Sequence, residues 1–461
     1  MNNKPVLFSR TATQVSRAAR LILLGLTLAL PLQSRADYSW EQDLHHRLLL
    51  DFNKTRADVK AYIQRYIPNV TDSQLDRWEA SRALETMTLD GEKRYFHNAA
   101  PNLFRIDPEC AAIKARQTPA GLDEADLADS VNLPLIMQQA NKSTHWLAQP
   151  KHVRVKYTLT VNADAVPEGE VIRCWLPFPH RSLKRHTGVK LLSASQPYTI
   201  SPRSATHSTV YMEQRAVKGQ PTVFTEEFEL QPYGEYHAIR PENVRPYKTH
   251  SALYRRYTRE EARHIRFTPR LRALADSLTA GITNPYLKAR SIFTWINNHF
   301  PWASAREYST IDNIPEYVVA NGHGDCGQVS LLFITLCRLS GIPAHFQSGF
   351  TLHPGHCGMH DWAEAYFEGY GWVPVDQSFG IPTYADSEAE RYFFLGGIDS
   401  WRLVVNQDYG DRLYPAKQYP RSETVDFQRG EVEWSGGNLY FDQWRWSIEP
   451  EYLSDGPETQ R

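Results

Sequence analysis

The 461-residue sequence predicts an α+β protein, on three observations. Residues 40–146 carry apolar side chains mostly at helical spacing, and the stretch beyond His152 alternates apolar and polar residues. Residues 322–376 then place one dense apolar helix ahead of two short strands. A chain of this length exceeds a single core. It divides into 1–36, a helical region over 37–150, a β-sandwich-like domain over 151–245, a core over 255–400 and a β-rich extension over 401–461 that packs back on the core.

Residues 1–36 read as a secretory signal. Lys4, Arg10, Arg17 and Arg20 precede the apolar run 21–30, and Ser34-Arg35-Ala36 offers small residues for cleavage after Ala36. The run is too short for a stable transmembrane helix, and no other long apolar run exists. The mature protein is therefore expected to be exported, periplasmic or extracellular, with no membrane span. Losing the five basic residues of this segment takes the formal charge from −1 to about −6. No basic cluster suits a phosphate backbone, so no nucleic-acid partner is expected.

In 37–150, Leu44, Leu48, Leu49 and Phe52 form one helical stripe, and Val59, Tyr62, Ile63 and Tyr66 another before Pro68. Thr71 or Asp72 is placed to cap a third helix through Leu75, Trp78 and Leu84. No chemistry is visible in this region. From His152 the period becomes two, with Val153, Val155, Tyr157, Leu159 and Val161 on one side. Further strands are expected at 170–176, 189–192, 208–213 and 222–230, the regular short spacing of a sandwich.

Residues 233–257 are polar and proline-bearing and read as a surface linker. Thr268-Pro269 and Asn284-Pro285 each place a cap before a proline, the favoured opening of a helix. The run Gly322-His323-Gly324-Asp325-Cys326 then feeds a helix with Val329, Leu332, Phe333, Leu336 and Leu339 on one stripe. Gly341 can close it in the left-handed conformation, and Pro343 prevents it restarting. Leu331 and Ile334 widen the stripe until the helix must be buried. A cysteine opening such a helix lies at the positive end of its dipole, which favours thiolate.

Downstream, alternation puts His360, Trp362 and Glu364 on one strand face, with Asp361, Ala363 and Ala365 on the other. After Glu368-Gly369-Tyr370-Gly371, residues 372–376 form a second strand, and a hairpin would bring His360 and Asp376 within reach. A thiol needs a base to take its proton, and the imidazole needs a carboxylate to fix its tautomer. Cys326, His360 and Asp376 supply that set. Glu364 is the lesser choice of acid, Asp361 points away, and Asp325 caps the helix.

Asp325-Cys326 with its apolar helix, Leu339-Ser340-Gly341-Ile342-Pro343-Ala344, His360-Asp361-Trp362-Ala363-Glu364 and Gly371-Trp372-Val373-Pro374-Val375-Asp376 together resemble the transglutaminase-like core, over about 268–380. The resemblance implies a papain-like fold, with the cysteine helix packed on an antiparallel sheet that carries the histidine and aspartate. It also implies thiol acyl transfer from a peptide or protein amide to water or an amine. Gly327 stands where animal transglutaminases carry a tryptophan, and no calcium-site signature is present, which departs from the cross-linking members. The oxyanion would be met by the backbone N–H of Cys326 and, as the resemblance suggests, by an upstream donor. Trp302 is the candidate, with Gln328 behind it.

A zinc site among His353, His356, Cys357 and His360 is disfavoured, since the loop lacks a second spaced ligand pair. No metal and no cofactor is expected. Five cysteines leave at least one unpaired, and the pairing of Cys110, Cys174, Cys337 and Cys357 stays open, as does the oligomeric state. The alternative function is a non-catalytic cell-envelope binding or scaffold protein that retains the fold.

Overall fold

The computed structural model describes residues 39–117, 121–143 and 145–453. The expected signal segment lies outside the described residues. The described residues form one compact unit.

The N-terminal region holds α1 (Trp40–Asp51), α2 (Arg56–Ile63), α3 (Asp72–Ala80), α4 (Ala99–Ile106), α5 (Pro108–Ala115) and α6 (Glu124–Ala140). Thr55 and Thr71 open α2 and α3 with full capping boxes, so Thr71 rather than Asp72 is the cap. Between α3 and α4 the polar interval around Gly91-Glu92 interrupts the helical pattern. A hairpin stands there instead, β1 (Thr86–Leu89) and β2 (Glu92–Tyr95), turning on Asp90 and Gly91, both at positive φ. Phe52, Ile63, Leu75, Trp78, Phe96 and Leu103 form a core of their own. Helix α6 leaves it and packs Leu133, Ile136 and Ala140 into the core around the cysteine helix.

After the short β3 (Leu147–Ala148) come β4 (Val153–Val161), β5 (Val171–Pro177), β6 (His186–Ala194), β7 (Tyr198–Ile200), β8 (Thr209–Arg215), β9 (Thr222–Pro232) and β10 (Gly234–Tyr236). The stretch expected as a linker thus contributes β10, which pairs with β3, and then α7 (Ala252–Tyr257). Helices α8 (Pro269–Leu278) and α9 (Pro285–His299) open on Thr268 and Asn284 as their cap-then-proline order predicts. Helix α10 (Ile314–Asn321) precedes α11 (Cys326–Leu339), which ends at Gly341 with φ 77°. The strands β11 (Ala344–His353), β12 (His356–Phe367), β13 (Gly371–Val375), β14 (Gly397–Ile398) and β15 (Arg402–Asn406) follow, then β16 (Glu431–Trp434), β17 (Gly437–Leu439) and β18 (Trp444–Tyr452).

The sheet beneath α11 runs β13-β12-β11-β15, all antiparallel. The other two large sheets run β17-β16-β5-β8-β7 and β18-β4-β9-β6. The last 60 or so residues therefore do more than cover the core: β15 extends the core sheet, while β16 and β18 each complete a sheet of the sandwich. Aromatic Trp444 and Trp446 are set opposite Val161 and Leu159 by that pairing.

Strand alternation divides the core sheet into two faces. One carries Ala344, Phe346, Ala363, Ala365, Val373 and Val375 against α11. Farther along, Phe350 and Leu352 of that face pack into the sandwich core with Tyr157 and Trp446. The other face carries His360, Trp362 and Asp376, covered by Arg402, Val404 and Ile398. Both faces of β11 are buried although its sequence alternates, and the polar side chains of the second face are held in hydrogen bonds: Gln347 with Trp362 and Gln407, and His353 with Asp129.

Candidate active site

Cys326 is the first residue of α11 and is half-buried at the floor of a cleft of ≈ 190 Å³. One wall is Trp302, Tyr308, Asp325, Met359 and Asp361, and the other comes from residues 422–429, which cross above the helix start. Asp325 caps α11: its carboxylate accepts from the Gln328 N–H at 3.0 Å, and its own N–H donates to Gln328 Oε1 at 3.3 Å. That exchange buries Gln328 beneath the cap, away from the cleft lining, and removes it as an oxyanion donor. Trp302 does line the cleft, 44 % exposed, with its backbone bridged to Gly324 and the Arg105 guanidinium over its ring.

The thiol meets Asp361. Sγ of Cys326 donates to Asp361 Oδ2 at 3.3 Å, Tyr308 O–H donates to Asp325 Oδ1 at 2.7 Å, and Gln428 Nε2 donates to Asp361 Oδ1 at 3.0 Å. Gly327 makes the arrangement possible: a Cβ there would run into the Tyr308 hydroxyl and come within 2.7 Å of Asp361 Oδ2. Burial pushes the Cys326 thiol well above the usual thiol range, and the Asp361 and Asp325 carboxyls add to it. Burial and the two carboxyls thus oppose the thiolate that the helix dipole favours. Burial likewise raises Asp325 to about 6, and burial with the Asp325 charge takes Asp361 well above the carboxylate range.

His360 and Asp376 form their expected pair on the opposite face. Nε2 of His360 lies 2.7 Å from Asp376 Oδ2, and Nη1 of Arg402 donates to the same oxygen at 2.8 Å. The N–H groups of Ser378 and Phe379 donate to Oδ1. Burial by itself would raise Asp376, but His360 and Arg402 outweigh it and hold the carboxyl well below the usual range. Burial lowers His360, against the opposing pull of Asp376. Nδ1 makes no hydrogen bond to a described residue. The ring is fixed by Trp362 at 5.9 Å and Phe379 at 4.8 Å.

The three expected site residues are thus split by the sheet. His360 and Asp376 are brought together, while the sulfur bonds to Asp361 and not to His360. Asp361 points away from His360 as alternation requires, and that direction is toward the cysteine. Tyr308 and the 422–429 segment were missed, because their place at the cleft depends on tertiary contacts with no local signal: Tyr308 reaches Asp325 and Asp361, 17 and 53 residues on, and Gln428 reaches Asp361, 67 residues back. Glu364 shares the His360 face but bonds to His345 and Gln407.

The candidate zinc residues disperse. His356 and Cys357 are exposed at the hairpin tip, whereas His353 and His360 are buried in separate hydrogen bonds. A different trio, Asp129, His353 and Asp399, brings one ligand atom each within 4.8 Å of one another. Arg402 donates to Asp399 Oδ2 at 2.5 Å, so a guanidinium already neutralises this group. All five cysteines are unpaired.

Residues 272–377 match the sequence profile of the transglutaminase-like superfamily. An uncharacterised protein of Haemophilus influenzae is 27 % identical over 142 residues, covering 25 % of this chain and 37 % of the relative, so this chain spans little more than a third of that protein's length. Among solved structures, a candidate cysteine protease from Cytophaga hutchinsonii aligns over 67 % of this chain and 93 % of its own, at 16 % identity and TM-score 0.45. The periplasmic domain of TgpA from Pseudomonas aeruginosa aligns over 60 % and 98 %, at 15 % identity and TM-score 0.28. The fold is mixed helix and sheet around a transglutaminase-like core.

Proposed function

We propose that this chain is an exported thiol enzyme acting on peptide or protein amides, with Cys326 as nucleophile, His360 as general base and then acid, and Asp376 holding the imidazole. The observation that carries it is a cleft cysteine at a helix start and a buried His–Asp pair on the adjoining strands, all inside the segment that matches the superfamily. In the reaction, sulfur attacks the carbonyl carbon and its proton passes to His360 Nδ1. The backbone N–H of Cys326 and the Trp302 indole N–H meet the oxyanion. The imidazolium then returns the proton to the leaving amine, and water attacks the acyl-thioester. Hydrolysis is preferred to amine transfer, since nothing in the sequence announces a second substrate site that would exclude water. Because the sheet separates the imidazole from the sulfur, the triad requires a rearrangement that brings Cys326 and the intact His360–Asp376 pair to one side. Export rests on the sequence of residues 1–36. Among the described residues no helix is long and apolar enough to cross a membrane.

The 3.3 Å contact between Cys326 and Asp361 favours a second reading, in which Asp361 takes the thiol proton. Turnover of a peptide-amide library by Cys326→Ser, His360→Ala and Asp361→Ala separates the two. Loss of about 10²–10⁴-fold in His360→Ala, with Asp361→Ala active, supports the triad, and the reverse supports Asp361. Activity that survives Cys326→Ser, or no turnover by the wild type, defeats both and leaves the scaffold alternative. Ammonia release from a glutamine peptide without incorporation of a labelled amine would confirm hydrolysis.

A further inference from the structure

Granting the thiol chemistry proposed above, we infer that the cleft at Cys326 selects amide substrates carrying an organic cation, an ammonium or guanidinium group, close to the scissile bond, with Asp426 as its counter-ion. The cleft walls hold five carboxylates against two guanidiniums. Both guanidiniums are engaged: Arg429 donates to both oxygens of Glu307 at 2.7 Å and to Glu423 at 2.7 Å, and Arg306 lies 3.8 Å from Glu85. Asp325 and Asp361 are occupied by Tyr308, Gln428 and the thiol.

Asp426 is left over. It is 7 % exposed and lines the cleft, yet its carboxylate receives no hydrogen bond and no ion pair from a described residue, and only its backbone carbonyl is used, by Arg421. A carboxylate buried without a donor is costly, and Arg429 and Arg421 act on this one only at a distance, while both are engaged elsewhere. An anionic ligand would be repelled by the neighbouring carboxyls, and a neutral one would leave Asp426 in its uncharged form, without an ionic partner. A cation resolves both. Burial, followed by the charges of Glu423 and Asp361, pushes Asp426 well above the carboxylate range, and a cation seated there would reverse that pressure.

The size and rim fit the same ligand. A cleft of ≈ 190 Å³ is many times the ~10–15 Å³ that one water needs, room for a four-carbon stem with its charged head. Trp302 and Met359 stand 44 % and 39 % exposed at the mouth, apolar surfaces for the methylenes of such a stem.

The test uses the full chain and needs no turnover. Rates of modification by cationic trimethylammonioethyl methanethiosulfonate and anionic sulfonatoethyl methanethiosulfonate are read at Cys326 by peptide mapping, with exposed Cys357 as the internal reference. The cation-to-anion rate ratio at Cys326 should exceed that at Cys357 by about tenfold, and Asp426→Asn should bring it down toward the Cys357 value. Equal ratios at the two cysteines, or a ratio unchanged in Asp426→Asn, would overturn the assignment. Should that variant fail to fold, protection of wild-type Cys326 from neutral methyl methanethiosulfonate decides. n-Butylammonium should slow labelling while n-butanol and butyrate do not, and equal protection by butanol sinks the idea. A chain that selects cations at Cys326 but turns over no amide would fail the thiol-enzyme reading alone.

Discussion

At Cys326 the helix and its neighbours pull in opposite directions. A helix N-terminus favours an anion by about 0.3–1 kcal/mol at an exposed site, whereas burial and two adjacent carboxyls disfavour the thiolate more strongly. Asp361→Ala removes the nearer carboxyl and frees the sulfur. The expected outcome is a labelling midpoint for Cys326 with iodoacetamide about one pH unit or more below that of the wild type, which itself should sit above the ordinary thiol value of roughly 8.5. Coincident rate profiles would show that Asp361 does not control the thiol. The sequence names the cysteine and the histidine–aspartate pair, because each is marked locally by a helix start or a strand period. It cannot say which face of β12 turns toward α11. That choice depends on small residues, Ala363 and Ala365, packing under the helix, and it carries Asp361 to the sulfur and His360 to the other side.

At the scale of elements, the wall of the cleft is held from the N-terminal region, where the sequence showed no chemistry. Asp51 ends α1, and its carboxylate accepts from the Glu307 N–H at 3.1 Å and from the Thr310 hydroxyl at 3.0 Å, fixing the loop that carries Tyr308. Asn102 adds a second tie, exchanging two hydrogen bonds with the backbone of Ser304. Burial, reinforced by the Glu307 charge, raises Asp51 from 3.8 to about 7. Between those values the folded chain keeps a proton that the unfolded chain has lost, so the stability linked to Asp51 falls as pH rises through that window. The full fall is about 4 kcal/mol at most. In urea unfolding, Asp51→Asn should therefore gain on the wild type by a few kcal/mol between pH 4 and 7.5, on top of a constant cost for the imperfect amide. A difference that does not move with pH would show that Asp51 is ionised in the fold. Nothing in the period of α1 signals this tie, since Asp51 and Glu307 are 256 residues apart.

Across the whole molecule, sequence periodicity marks strands well but not their partners. Strand β4 is plain in the alternation of residues 153–161, yet its neighbour β18 begins at Trp444, opposite Val161, and no local signal links them. The same long connection makes the sandwich and the core sheet interdependent. Phe350, Leu352, Leu403 and Val405 of that sheet share one core with Tyr157, Phe228 and Leu230, and Tyr157 donates to the carbonyl of Gln428, which in turn holds Asp361. A sandwich that unfolded alone would expose these residues and release the wall of the cleft. Two buried cysteines report on the two sides, Cys174 inside the sandwich core and Cys337 inside the core around α11. In pulse labelling across a urea series, both should become reactive at the same midpoint. Phe228→Ala, a fully buried truncation in the sandwich, should cost about 3–5 kcal/mol and lower both midpoints together. If Cys174 opened early in that variant while Cys337 kept its wild-type midpoint, the two would be separable units, and the sandwich would act on the cleft only as a neighbour.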